Sequence, residues 1–148
     1  MTSLAVMLFL ALAAIAAVHV AWGLGMRWPA ESERDLVALV VGRTGQTRMP
    51  GPLECFAAAA ALLCAGLVAL AMADLLHVRG PPLLATTAGA VATLVFAGRG
   101  IAAYLPAWRR RFAQEPFAAM DQGWYAPLCL LFALAFGLLL ARRLAGWP

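Results

Sequence analysis

The run from Leu4 to Leu24, LAVMLFLALAAIAAVHVAWGL, is apolar for the length needed to cross a hydrocarbon core and carries no acid or base except His19. A helix that is greasy on every face must be buried in a large core or in lipid. Three further runs of this kind follow, at about 52–78, 82–104 and 124–141, and a chain of 148 residues has no second domain in which to hide them. Its 64% hydrophobic positions stand well above the roughly 45–50% of soluble domains. The expected fold is therefore all-α: an integral membrane four-helix antiparallel bundle, one domain over 1–148, with two longer loops over one end. A cleaved leader is the rival reading of the first run, since Ala13, Ala14, Ala16 and Ala17 are small. The absence of Lys or Arg ahead of it, and its continuation through Val18 and Val20 to Trp22, favour a retained span.

Polar residues collect between the runs. In the first loop, 25–51, Ser32 followed by Asp35 resembles a helix start, and Leu36, Val37, Leu39, Val40 and Val41 supply an apolar face for a short surface helix. The second span opens on Pro52, and the small residues Ala57 to Ala61, Ala65 and Gly66 predict an interior helix that neighbours approach closely. Gly80, Pro81 and Pro82 predict a tight turn into the third span, which Leu105-Pro106 ends. The second loop, 105–123, holds Arg109, Arg110 and Arg111 with Glu115 and Asp121. Trp124 and Trp147 bracket the last span as interfacial aromatics.

All eleven basic residues are arginine, and the formal net charge is +4. In a polytopic chain such an excess marks loops held at an anionic membrane face, not nucleic-acid binding. Arg27, Arg34, Arg43, Arg48, Arg99 and Arg109 to Arg111 lie on the side of the long loops. Arg79, Arg142 and Arg143 lie on the side of the termini. This asymmetry predicts a multi-pass protein of the cell inner membrane with long loops in the cytoplasm and both termini outside. Cys55, Cys64 and Cys129 form no CxxC pair, which argues against disulfide exchange and a cysteine zinc site. His19 and His77 fall toward opposite faces, so a bis-histidine haem is not expected. Neither a cofactor nor a metal is anticipated.

Antiparallel connection brings the end of span one, the start of span two, the end of span three and the start of span four to one membrane face. His19, Trp22, Glu54, Cys55, Arg99, Tyr104, Asp121, Tyr125 and Cys129 all fall there. Arg99 sits inside an apolar segment and needs a partner, with Glu54 and Asp121 as the available counter-charges. Asp121, Tyr125 and Cys129, at four-residue spacing, share one helical stripe. A ligand-binding reading makes Arg99 an anion or carbonyl anchor, Tyr104 and Tyr125 hydroxyl donors, Trp22 part of the same wall, and His19 the proton carrier near neutral pH. The plainer reading makes Arg99 and one acid a structural clasp, His19 a packing residue and the arginine triplet a contact for lipid phosphate.

The elements His19-x-x-Trp22-x-x-Gly25, Trp28-Pro29, Arg99-Gly-Ile-x-x-Tyr104 and Glu115-Pro116-Phe117-x-x-x-Asp121-x-x-x-Tyr125-x-Pro127-Leu128-Cys129-Leu130 resemble an uncharacterised bacterial family of short four-span membrane proteins, a domain of unknown function. The resemblance covers nearly the whole chain; it implies a four-helix membrane bundle and brings no activity with it. The expected function is the binding of a small or lipid-like ligand in a polar pocket beneath the long loops. The alternatives are a structural or assembly subunit of a larger membrane complex and, third, a membrane enzyme on a lipid-soluble substrate. Membrane lipids, a small lipophilic ligand and a protein partner or second copy are the partners anticipated, with no nucleic acid.

Overall fold

The computed structural model describes residues 1–77 and 83–146. They form α1 (Thr2–Gly23), α2 (Glu33–Val40), α3 (Pro52–Met72), α4 (Leu83–Ala102), α5 (Pro106–Arg111), α6 (Phe117–Met120), a π-helical turn (Asp121–Tyr125) and α7 (Ala126–Ala145). α1, α3, α4 and the continuous helical stretch Phe117–Ala145 are each long and apolar enough to cross a membrane. The chain is a multi-pass membrane protein built as an antiparallel four-helix bundle.

Two close helix pairs make the bundle, α1 with α3 and α4 with α7, and α3 meets α4 between them. Gly100 allows α4 and α7 to approach: a Cβ there would lie 2.6 Å from Leu130 Cγ and 3.1 Å from the Ala126 carbonyl. The core gathers Leu8 and Leu12 from α1, Ala69 and Met72 from α3, and Phe132, Phe136 and Leu139 from α7. Phe96 of α4 closes it, stacked on Phe136 at 5.8 Å and edge-on to Phe132 at 5.4 Å. By position along the spans this core lies in the half nearer the termini, which leaves the loop end to polar groups. The outer faces are apolar too, with Leu10, Leu94, Leu131 and Leu134 all exposed, as lipid requires of a bundle of only four helices.

That small number of helices also corrects the reading of α3 as an interior helix. Ala59, Gly66 and Ala69 face inward, but Ala57, Ala60 and Ala61 are exposed. Small residues admit α1 on one face, α4 and α7 touch part of the rest, and the remaining surface is uncovered among the described residues.

Span ends differ from expectation for local reasons. α3 stops at Met72 because Asp74 turns the chain with a left-handed backbone (φ 58°). The turn expected around Gly80, with Arg79, lies outside the described residues, as does Trp147. The last helical stretch starts at Phe117, ahead of Trp124, because the Glu115 carboxylate accepts the Ala119 N–H (3.2 Å) and satisfies its first turn. α2 forms as expected: the Ser32 hydroxyl accepts the Asp35 N–H at 3.2 Å, and Leu36 and Val37 are buried. The arginine triplet is not loop but the last turn of α5, which Pro106 starts at its first position.

Candidate functional site

Arg99 in the last turn of α4 is met by two side chains at the loop end. Its Nη2 donates to Asp121 Oδ1 at 2.5 Å. Trp108 of α5 donates from Nε1 to Asp121 Oδ2 at 2.9 Å and lays its ring under the guanidinium, 4.8 Å from Cζ to the centroid. Asp121 is 3% exposed, so a buried carboxylate has both oxygens occupied and its charge opposed. One guanidinium nitrogen, Nη1, is buried without a partner among the described residues.

The π turn produces this burial. The Ala126 N–H bonds five residues back to the Asp121 carbonyl, so Ala126, not Tyr125, stands over Asp121. Both Asp121 and Ala126 are buried. The expected four-residue stripe is rotated at Tyr125, which reaches sideways and donates from its hydroxyl to the Leu39 carbonyl of α2 at 3.3 Å. π turns of this kind recur at functional sites.

The two long loops are fastened to each other above this clasp. The Gln114 N–H donates to the Gly42 carbonyl at 3.2 Å and the Thr44 N–H to the Arg111 carbonyl at 3.5 Å. Gly42 has φ +64° and sits directly on the Phe117 ring, where a Cβ would overlap it. Phe117 is buried between Phe112 and Tyr125, with ring centroids 6.1 and 5.9 Å away.

The other sequence-derived candidates have separate engagements. His19 donates from Nδ1 to the Ile15 carbonyl (2.9 Å), and its ring tilts against Trp22 at 5.1 Å. Trp22 donates to the Trp28 carbonyl (2.8 Å), and the Tyr104 hydroxyl to the Gln122 carbonyl (3.1 Å). Glu54 is not a counter-charge to Arg99. Its carboxylate turns back to the Gly51 N–H at 2.6 Å, because the unpaired amides of its own helix start lie nearer. Of the two acids offered, the structure pairs Arg99 with Asp121 alone.

Between the loops and the start of α3 lies an open groove of about 560 Å3. Trp108, Phe112 and Val41 give it apolar wall, and Arg43, Arg111 and Glu54 its charges. A smaller cavity of about 130 Å3 lies on the other side of Trp108, bounded by Asp121, Gln122, Glu115 and Arg109. Trp108 is thus shared by the clasp, the groove and the cavity.

A family model described as "Protein of unknown function (DUF3995)" matches residues 12–136. The chain belongs to the DUF3995 family. No curated protein and no solved structure matches it. The DUF3995 match contains the clasp, both long loops and the whole groove, and ends before Arg142 and Arg143.

The sequence gives Trp108 no role, and it gives Arg143 only a share in the charge asymmetry of the two faces. Trp108 carries no local spacing relation to Arg99 or Asp121. Arg143 donates from Nη1 to the carbonyls of Ala71 and Met72 (3.2 Å each) and to Asp74 (3.1 Å), and from Nε to Thr86 (3.2 Å). It caps the end of α3 from a neighbouring helix. The signal was present in principle: every helix end leaves carbonyls unpaired, and antiparallel order places an arginine near the end of span four at the level where span two stops. Polar contacts are therefore less one-sided than the sequence implied.

Proposed function

We propose that this multi-pass membrane protein holds a small anionic amphiphile in the groove beneath its two long loops. The observation that carries the reading is the groove itself. Its volume falls within the range of small-molecule sites, its walls are aromatic and aliphatic, and it lies at the loop end of the bundle. Two arginines, Arg43 and Arg111, face one carboxylate, Glu54, which leaves a net charge of 2 − 1 = +1 for an anionic head. Arg99 serves this site through Trp108, whose ring it and Asp121 hold in place, and not as the anchor itself.

Native mass spectrometry of the protein exchanged into mild detergent tests the reading. The wild type is expected to retain a co-purifying mass that Arg43→Ala/Arg111→Ala loses by at least roughly tenfold, as the loss of two charge-assisted contacts implies, with the melting temperature unchanged. Equal retention in the double variant, or no bound mass in the wild type, would refute it. A second protein in fixed ratio would instead favour the subunit reading.

We also place the loops in the cytoplasm. Arg27, Arg34, Arg43, Arg48 and Arg109 to Arg111 lie on that side, against Arg142 and Arg143 at the other end of the described chain. A C-terminal reporter active only outside the cytoplasm is expected to give signal; a reporter signal from the cytoplasmic side would reverse the orientation.

A further inference from the structure

The end of the bundle away from the loops carries a second open groove, of about 500 Å3, between the end of α3, the start of α4 and the last turn of α7. Arg142 and Arg143 border it, and Met72, Leu83 and Leu144 form apolar walls. The two arginines are in different states. Arg143 is committed to the α3 carbonyls, Thr86 and Asp74. Arg142 Nε is buried and has no acceptor among the described residues. A guanidinium N–H withdrawn from water needs one. Asp74, the carboxylate of this groove, is already taken by its neighbour.

We propose that this groove binds a phosphate oxoanion on Arg142, supplied by the headgroup of an anionic phospholipid in the leaflet opposite the long loops. Two guanidinium groups against one carboxylate leave a positive charge unanswered, and the planar fork of arginine matches phosphate oxygens. Leu83 and Leu144 are each 70% exposed beside the charged groups, and Leu84 is exposed on the same helix start. A lipid phosphate on Arg142 would lay its acyl chains over these leucines, which a free phosphate would leave bare. This site stands on residues separate from those of the loop groove.

The experiment is native mass spectrometry in detergent, carried out in the Arg43→Ala/Arg111→Ala background so that binding in the loop groove is weakened and equal in every protein compared. The probes are dioleoyl phosphatidylglycerol and the matching diacylglycerol, which lacks the phosphate. The Arg142-bearing protein is expected to hold phosphatidylglycerol at least roughly fivefold better than diacylglycerol, and Arg142→Gln to abolish the difference. Arg142→Lys keeps the charge without the fork and is expected to fall between them. The melting temperature without lipid should be unchanged by Arg142→Gln, since the Arg142 side chain makes no hydrogen bond or ion pair among the described residues. Displacement of the lipid by millimolar inorganic phosphate would assign the site to free oxoanion; resistance to displacement would assign it to the headgroup. Equal occupancy by the two lipids, or phosphatidylglycerol binding that persists in Arg142→Gln, would overturn the proposal. Loss of a co-purifying mass in the background protein bears on the loop groove alone.

Discussion

Asp121→Ala is expected to destabilise the protein by about 3 kcal/mol in detergent, the low end of what removing one partner of a buried ion pair costs. The low end applies because the Arg99 side chain is 30% exposed and can relax outward once its partner is gone. The same substitution takes the acceptor from Trp108 Nε1, so the two losses are coupled and do not sum. A double-mutant cycle separates charge from packing. Arg99→Leu/Asp121→Leu removes both charges and is expected to recover most of the loss, since an apolar pair in lipid needs no counter-ion. Thermal unfolding followed by tryptophan fluorescence reads the cycle. If Asp121→Ala melts with the wild type, the three residues are not a clasp. At temperatures where Asp121→Ala is still folded, the Trp108 wall is expected to loosen and the loop groove to lose affinity for the proposed amphiphile, which ties the stability effect to the proposed site.

Gly42→Ala is the second large effect, and it is local. The left-handed backbone costs a residue with a Cβ about 1–2 kcal/mol, and the overlap with Phe117 adds about 1–3 kcal/mol. Together they are comparable to what two backbone hydrogen bonds and one aromatic contact provide, so the 25–51 loop is expected to release from the 105–123 loop. Hydrogen exchange at the Gln114 amide and proteolysis within 43–48 should both rise. The melting of the bundle should barely move, because its core lies toward the other end. Gly45 is the control: it has φ +83° with nothing near its Cβ position, so Gly45→Ala carries the backbone penalty without the collision. If the two alanine variants behave alike, Phe117 does not hold the loop. Gly42→Ala/Phe117→Ala relieves the overlap but leaves the strain, and is expected to recover only part of the protection.

Both predictions concern one device: a polar clasp under a lid, at the end of a bundle whose core is elsewhere. The Arg99–Asp121–Trp108 contact anchors α4, α5 and the π turn to one another. The Gly42–Phe117 and Tyr125–Leu39 contacts then fasten the first loop over them. The open groove lies beside this assembly and shares Trp108 and Phe112 with it. A wall held by a buried ion pair is preorganised, which lowers the ordering cost of any ligand that settles there.

Much of this architecture was legible in the linear chain, because the deciding quantities belong to contiguous residues. Apolar length sets the four spans, and Ser32 with Asp35 marks α2. A lone arginine in an apolar segment announces that an acid must come to it. The structure decided which acid. Glu54 and Asp121 were equal candidates at one membrane face, yet side-chain direction turns by roughly 100° per residue along a helix. The π turn shifted that rotation just where Asp121 enters, while Glu54 had amides of its own helix start within reach. Trp108 beneath Arg99 and Arg143 across the end of α3 are contacts between elements far apart in the chain, made once the helices pack. Hydropathy carries no information about such rotations, so the spans could be read from the residues in order, and the partners within the clasp only from their arrangement in space.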